Sequence, residues 1–283
     1  MKHTLLMLII SIAGYTVYGQ GDTKHVPRPL SAEDSTRVGY YWEKANSVRL
    51  FSQQRQKYLD SALAIAPWKA YFWQQKAMPL SKQMKHDLAR PYLDSAAKYN
   101  PHQYVPYRAY LLCIFSRDYK EALDDFYLAQ TLNGNSGVMD HPYDFYIGLC
   151  HLQLDNFDSC RYMMQKCIDY KTKQQGAEWV HYLHWFYVGI TWYEQDNNDS
   201  AISCFDRSLA LNPYLPDAKY YKALCLSRRG EKKEALALLY ETDSLIRKGY
   251  FINEDNARYE VYPYQVRKYF LEGAIASLEE NEE

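Results

Sequence analysis

From Ala70 onward the apolar positions fall three and four residues apart: Trp73, Ala77 and Leu80, then Ala89, Leu93 and Ala96. That period is the signature of amphipathic helices, and the two stripes predict two helices in succession. The stretch Tyr58-Leu59-Asp60-Ser61-Ala62 returns as Tyr92-Leu93-Asp94-Ser95-Ala96, 34 residues later, and each copy runs on to a proline, Pro67 or Pro101. A looser copy, Cys204 to Ser208, leads to Pro213. A fixed helical period with a terminal proline predicts stacked helix pairs rather than one globular core. Proline after the second helix stops it and sets the turn into the next unit.

The same phase runs down the chain. Small residues recur on the first helix at Ala77, Gly148, Gly189 and Ala223, with Tyr110 departing. On the second helix they recur at Ala89, Ala122, Cys160, Ala201 and Ala235, and again at Ala62, Ala96, Ala129, Cys167, Ser208 and Thr242. A larger residue sits between the two sets: Leu59, Leu93, Phe126, Met164, Phe205 and Leu239. Small side chains let paired helix axes approach closely while the large ones fill the gaps beside them. In phase, small positions and prolines this sequence resembles the tetratricopeptide repeat family. The resemblance implies an all-α, right-handed α-α superhelix of about six pairs, near 36–69, 70–103, 104–136, 141–174, 182–215 and 216–249. A Tyr-rich connector (250–264) would follow, then a capping helix from about Gln265 to Leu278 and an acidic tail.

Three irregularities stand out. Pro79 falls within a first helix, 131–137 reads as an extended loop, and 172–181 exceeds the period, with Gly176 ending a helix. Inserts in solenoids map to loops on one face, often the binding face.

The formal net charge is −1, which excludes a strong field for nucleic acid or an anionic membrane. Met1–Gly19 reads as a secretory signal, with Lys2 before an apolar run too short to span a bilayer. Residues 20–35, with Pro27 and Pro29, read as a flexible leader. The expected location is therefore the periplasm of a Gram-negative bacterium, or the medium. The six cysteines (113, 150, 160, 167, 204 and 225) all fall in helical pattern without CxxC spacing and are expected as buried thiols, with Cys150–Cys160 the pair to inspect.

Catalytic motifs such as HExxH and GxSxG are absent, and no cofactor is expected. His181 and His184, with His141, His151 and Glu178, form the one set with metal-ligand character, but the repeat phase spreads them over different faces, so no metal is expected. The 29 tyrosines suit wet interfaces. The resemblance implies that first helices line the inside of the superhelix and that two positions on each contact ligands. Tyr107, Phe145, Phe186 and Tyr220 are among the first set, with Tyr71, Tyr104, Tyr193 and Arg228 beside the groove. Relatives that clamp acidic C-termini use Lys and Asn there, whereas this chain presents aromatic and aliphatic residues. The expected role is a non-enzymatic scaffold that binds a segment of another envelope or secreted protein through apolar anchors. A glycan or lipid stacked on the same rings is the alternative, and the connector folding back over the groove is a third arrangement.

Overall fold

The computed structural model describes residues 29–280, so the signal 1–19 and most of the leader lie outside the described residues. Six helix pairs follow in order: α1 (Ala32–Asn46) with α2 (Gln53–Ile65), α3 (Ala70–Ser81) with α4 (His86–Tyr99), and α5 (Pro101–Leu111) with α6 (Tyr119–Asn133). Then come α7 (Tyr143–Gln153) with α8 (Phe157–Gln175), α9 (Tyr182–Glu194) with α10 (Asn198–Leu211), and α11 (Pro216–Arg228) with α12 (Lys232–Arg247). A last helix, α13 (Lys268–Glu279), packs on α12. Among the described residues no helix is long and apolar enough to cross a membrane.

The helix ends explain where the sequence boundaries shift. α1 begins at Ala32, inside the stretch expected as leader, because the Ser31 hydroxyl accepts from the Asp34 amide at 3.0 Å. α5 begins at Pro101, not Tyr104, since Asn100 caps it and proline suits the first turn. The loop expected from 131 is helical to Asn133; Gly134 then turns the chain at φ +68° into a two-strand hairpin, β1 (Gly137–Val138) against β2 (His141–Pro142). A side chain at Gly137 would meet the His141 carbonyl at 2.7 Å, so the close crossing requires glycine. α13 begins three residues later than the expected Gln265: Tyr264 turns at φ +61°, the Val266 amide is bound by Asp217, and only after the extended Arg267 does the helix start.

Packing follows the small-large rule. A Cβ added at Gly189 would lie 2.6 Å from the Phe205 ring, and one at Gly148 would lie 2.9 Å from the end of Met164. Gly39 in α1, by contrast, faces open space. Gly39→Ala should therefore gain about 0.5–1 kcal/mol from helix propensity alone. Gly189→Ala should lose about 1–2 kcal/mol net, because overpacking against a rigid ring outweighs that gain. Opposite shifts of the denaturation midpoint would establish this, and equal shifts would refute it.

All six cysteines are free and buried. Burial, then the neighbouring Cys113, raises the Cys150 thiol pKa well above the ordinary value. Arg55, which breaks the small-residue rule in the first pair, is buried and donates to the Gln75 carbonyl and side chain at 2.8 and 2.7 Å.

Candidate functional site

Past α12 the chain leaves the solenoid and lies back across its first helices. The segment 251–266 runs toward the N-terminal repeats and returns, crossing the face the fold turns inward. We call it the strap. Four side chains grip its backbone. Tyr110 Oη donates to the Asp255 carbonyl at 2.9 Å, and Asp140 Oδ2 accepts from the Asp255 amide at 2.9 Å. Tyr187 Oη donates to the Pro263 carbonyl at 3.2 Å, and Asp217 Oδ1 accepts from the Val266 amide at 2.6 Å. At its far end Lys82 lies over the Tyr259 ring, and Glu260 faces His86 at 3.5 Å and Arg117 at 4.0 Å. Tyr262 is buried, its ring beneath the strap's own turn.

These contacts place the sequence-derived site residues in three groups. Phe145 and Phe186 are fully buried, Phe145 stacked on His141 at 3.8 Å and Phe186 packed on Phe205. Tyr104 is buried beside Tyr107, which is half-buried and accepts a hydrogen bond from Gln74. Tyr71 stays exposed at the N-terminal end, edge-on to Trp42. Tyr193, Tyr220 and Arg228 come together: the Arg228 guanidinium sits 4.1 Å from the Tyr193 ring centre and donates to the Tyr193 carbonyl. Tyr193 and Tyr220 line a cleft of about 420 Å³, whose other wall is the strap from Val261 to Arg267. Tyr221, Leu224 and Phe270 add apolar lining; Arg117, Gln153 and Glu194 add polar groups.

A second cluster forms where β2, the start of α9 and the strap meet. Glu254 is buried; its Oε2 lies 2.8 Å from His141 Nε2, its Oε1 3.5 Å from His181 Nε2, and Tyr182 Oη donates to Oε1 at 3.2 Å. Burial opposes the charged carboxylate, but the His141 hydrogen bond, the two imidazoles and the Tyr182 hydroxyl together hold the Glu254 pKa below its usual value. Burial drives His181 down to about 4, against the pull of Glu254. His184 is buried too, its ring centre 6.1 Å from those of both His141 and His181. Burial and those two rings lower its pKa well below the ordinary value. Neither of its ring nitrogens has a hydrogen-bond partner, although the nearby His181 backbone favours its charged form.

The expectation that phase scatters these histidines is thus corrected. His141 and His181 precede their helices, so helical phase does not govern them, and the two irregular connections bring them side by side. His151 stays apart, bonded to Tyr127. Glu178 lies beside Gly176. Glu254 was missed because no repeat position marks it.

No family model and no curated protein matches this sequence. Solved structures do share its fold. A tetratricopeptide repeat protein from Parabacteroides merdae superposes at a TM-score of 0.55 and 12% identity, over 87% of this chain and 84% of that one. PilW, a type IV pilus biogenesis factor, gives 0.57 at 12% identity over 76% and 94%, and yeast Tom70 gives 0.53 at 15% over 87% and 47%. The chain has the tetratricopeptide-repeat fold: an all-α solenoid of helix pairs closed by a capping helix.

Proposed function

We propose that this chain is an exported, non-enzymatic scaffold that holds an extended segment of another envelope or secreted protein on its inner face. One observation carries the reading: the inner face already grips a non-helical segment, the strap, through side-chain bonds to its backbone. Side chains that bond backbone groups bind a segment largely irrespective of its sequence, and pockets beside them add selectivity. The cleft bounded by Tyr193, Tyr220 and Leu224 is the open continuation of that surface, and its aromatic lining suits an apolar anchor. Of the residues expected to bind, Tyr193 and the largely buried Tyr220 line that cleft and Arg228 lies beside it on the Tyr193 ring, while Phe145 and Phe186 act through the core beneath. Export rests on the pattern of Met1–Gly19.

The test places a photoreactive side chain at position 193 or 224, and for comparison at Tyr162 or Tyr170, which are exposed on α8. With envelope extract, 193 and 224 should yield one protein adduct that 162 and 170 do not, reduced several-fold by Tyr220→Ser. Adducts from α8 alone, or none from any position, would overturn the reading.

A further inference from the structure

His141, His181 and Glu254 each offer one ligand atom, and the three atoms lie within 4.8 Å of one another. They come from three separate parts of the chain: β2, the N-cap of α9 and the strap. Two imidazoles and one carboxylate make a common donor set for zinc and similar divalent ions. In a tetrahedral zinc site with bonds of about 2.0–2.1 Å, neighbouring ligand atoms sit about 3.3 Å apart. His141 and Glu254 at 2.8 Å and His181 and Glu254 at 3.5 Å already bracket that spacing. The remaining separation, between the two imidazole nitrogens, is no more than 4.8 Å.

His184 supplies an independent observation. It is an almost fully buried imidazole whose two ring nitrogens make no hydrogen bond, set equally far from both other histidine rings. A buried polar side chain with no partner is costly and calls for a reason. A cation between these rings provides one: His184 stands as a fourth donor or as the neighbour of a bound water. The charges also suit a dication. Glu254 is one anion of the site, and Asp140, bonded to the next strap amide, is a second close by.

We propose that His141, His181 and Glu254, with His184 beside them, form a zinc-type divalent metal site that fastens the strap across α7 and α9. The metal replaces the hydrogen bond between His141 and Glu254, taking the Nε2 lone pair while the ring carries its proton on Nδ1. Ligation through Nε2 of His181 moves that ring's proton to Nδ1, in place of the long 3.4 Å bond it accepts from the Leu183 amide. Without metal, one His–Glu hydrogen bond, a long His181 contact and the Tyr182 hydroxyl hold the strap at this point. With metal, three segments share one ion. The site stands whether or not a partner protein enters the cleft.

The test uses the mature chain, stripped with chelator and titrated with zinc or cobalt(II). Wild type should take up one equivalent, with cobalt giving the visible absorption of a four- or five-coordinate site, a readout that needs no variant. Glu254→Gln, which keeps the shape of the side chain, should bind about 100-fold more weakly, as should His181→Gln, while His151→Gln should bind as wild type. Arg258 is exposed on the strap, so trypsin reports its fastening: zinc should slow cleavage after Arg258 in wild type and not in Glu254→Gln. No stoichiometric metal, or equal affinity in wild type and Glu254→Gln, would overturn the site. Uptake that leaves Arg258 equally open to trypsin would overturn the fastening.

Discussion

Tyr110→Ala is expected to lose about 4–5 kcal/mol and to open the strap to trypsin at Arg258. The residue is fully buried, edge-on to Tyr146 at 5.4 Å and near Phe115. Deleting a buried ring of this size costs about 3–5 kcal/mol through lost transfer energy and the cavity left behind. The substitution also removes the donor to the Asp255 carbonyl and the acceptor for the Asn256 side chain. Tyr110→Phe separates the two contributions. It keeps the ring, removes the hydroxyl, and should cost about 1–2 kcal/mol, mostly at the strap. Denaturant midpoints measure the first effect and the rate of cleavage after Arg258 the second. Wild-type protection of Arg258 in both variants would mean that Tyr110 serves only the core.

The second large effect is a pH dependence lodged in Asp217. This carboxyl is completely buried, accepts from the Val266 amide through Oδ1, and leaves Oδ2 without a partner. Burial raises its pKa to about 7, only partly offset by backbone hydrogen bonds. In the unfolded chain the group titrates near 3.8. Between those values the folded state holds a proton that the unfolded state has lost, so stability falls as pH rises through this window. At about 1.4 kcal/mol per unit, the full span is worth roughly 4 to 4.5 kcal/mol. Asp217→Asn keeps the acceptor for Val266 and cannot ionise. The stability difference between variant and wild type should therefore move in favour of the variant by about 4 kcal/mol from pH 4 to pH 8. A difference independent of pH would show that Asp217 is ionised throughout. Because Val266 is where the strap hands over to α13, the same window should loosen that junction in wild type.

The helix pairs were legible because each repeat restates the same packing problem. Gly189 under Phe205 and Gly148 under Met164 are small-large pairs whose spacing appears in the sequence before any coordinate is known. Tyr110 was visible only as an exception: a large ring where a small residue belongs, followed by a turn of π-helix at Leu112–Ser116. The structure gives that exception its reason, since the ring reaches the strap. Phe145 and Phe186 were read as groove residues from their register. The register marks a face, but it is silent on what covers that face, and both rings lie in the core. The histidine cluster failed for a different cause. His141 in β2 and His181 at the N-cap of α9 lie outside the helical phase, and their partner Glu254 lies 113 residues from His141.

By itself the sequence determined the fold class, the order of helix pairs, the small and large positions between them, and the aromatic character of the inner face. Those follow from contacts between residues close in the chain, which a 34-residue period repeats and so reveals. The tertiary structure alone decided where residues 251–266 lie, which rings they bury, and which histidines meet Glu254. Such contacts join segments from 49 to well over a hundred residues apart through single hydrogen bonds and a few ion pairs, and no periodic pattern records them.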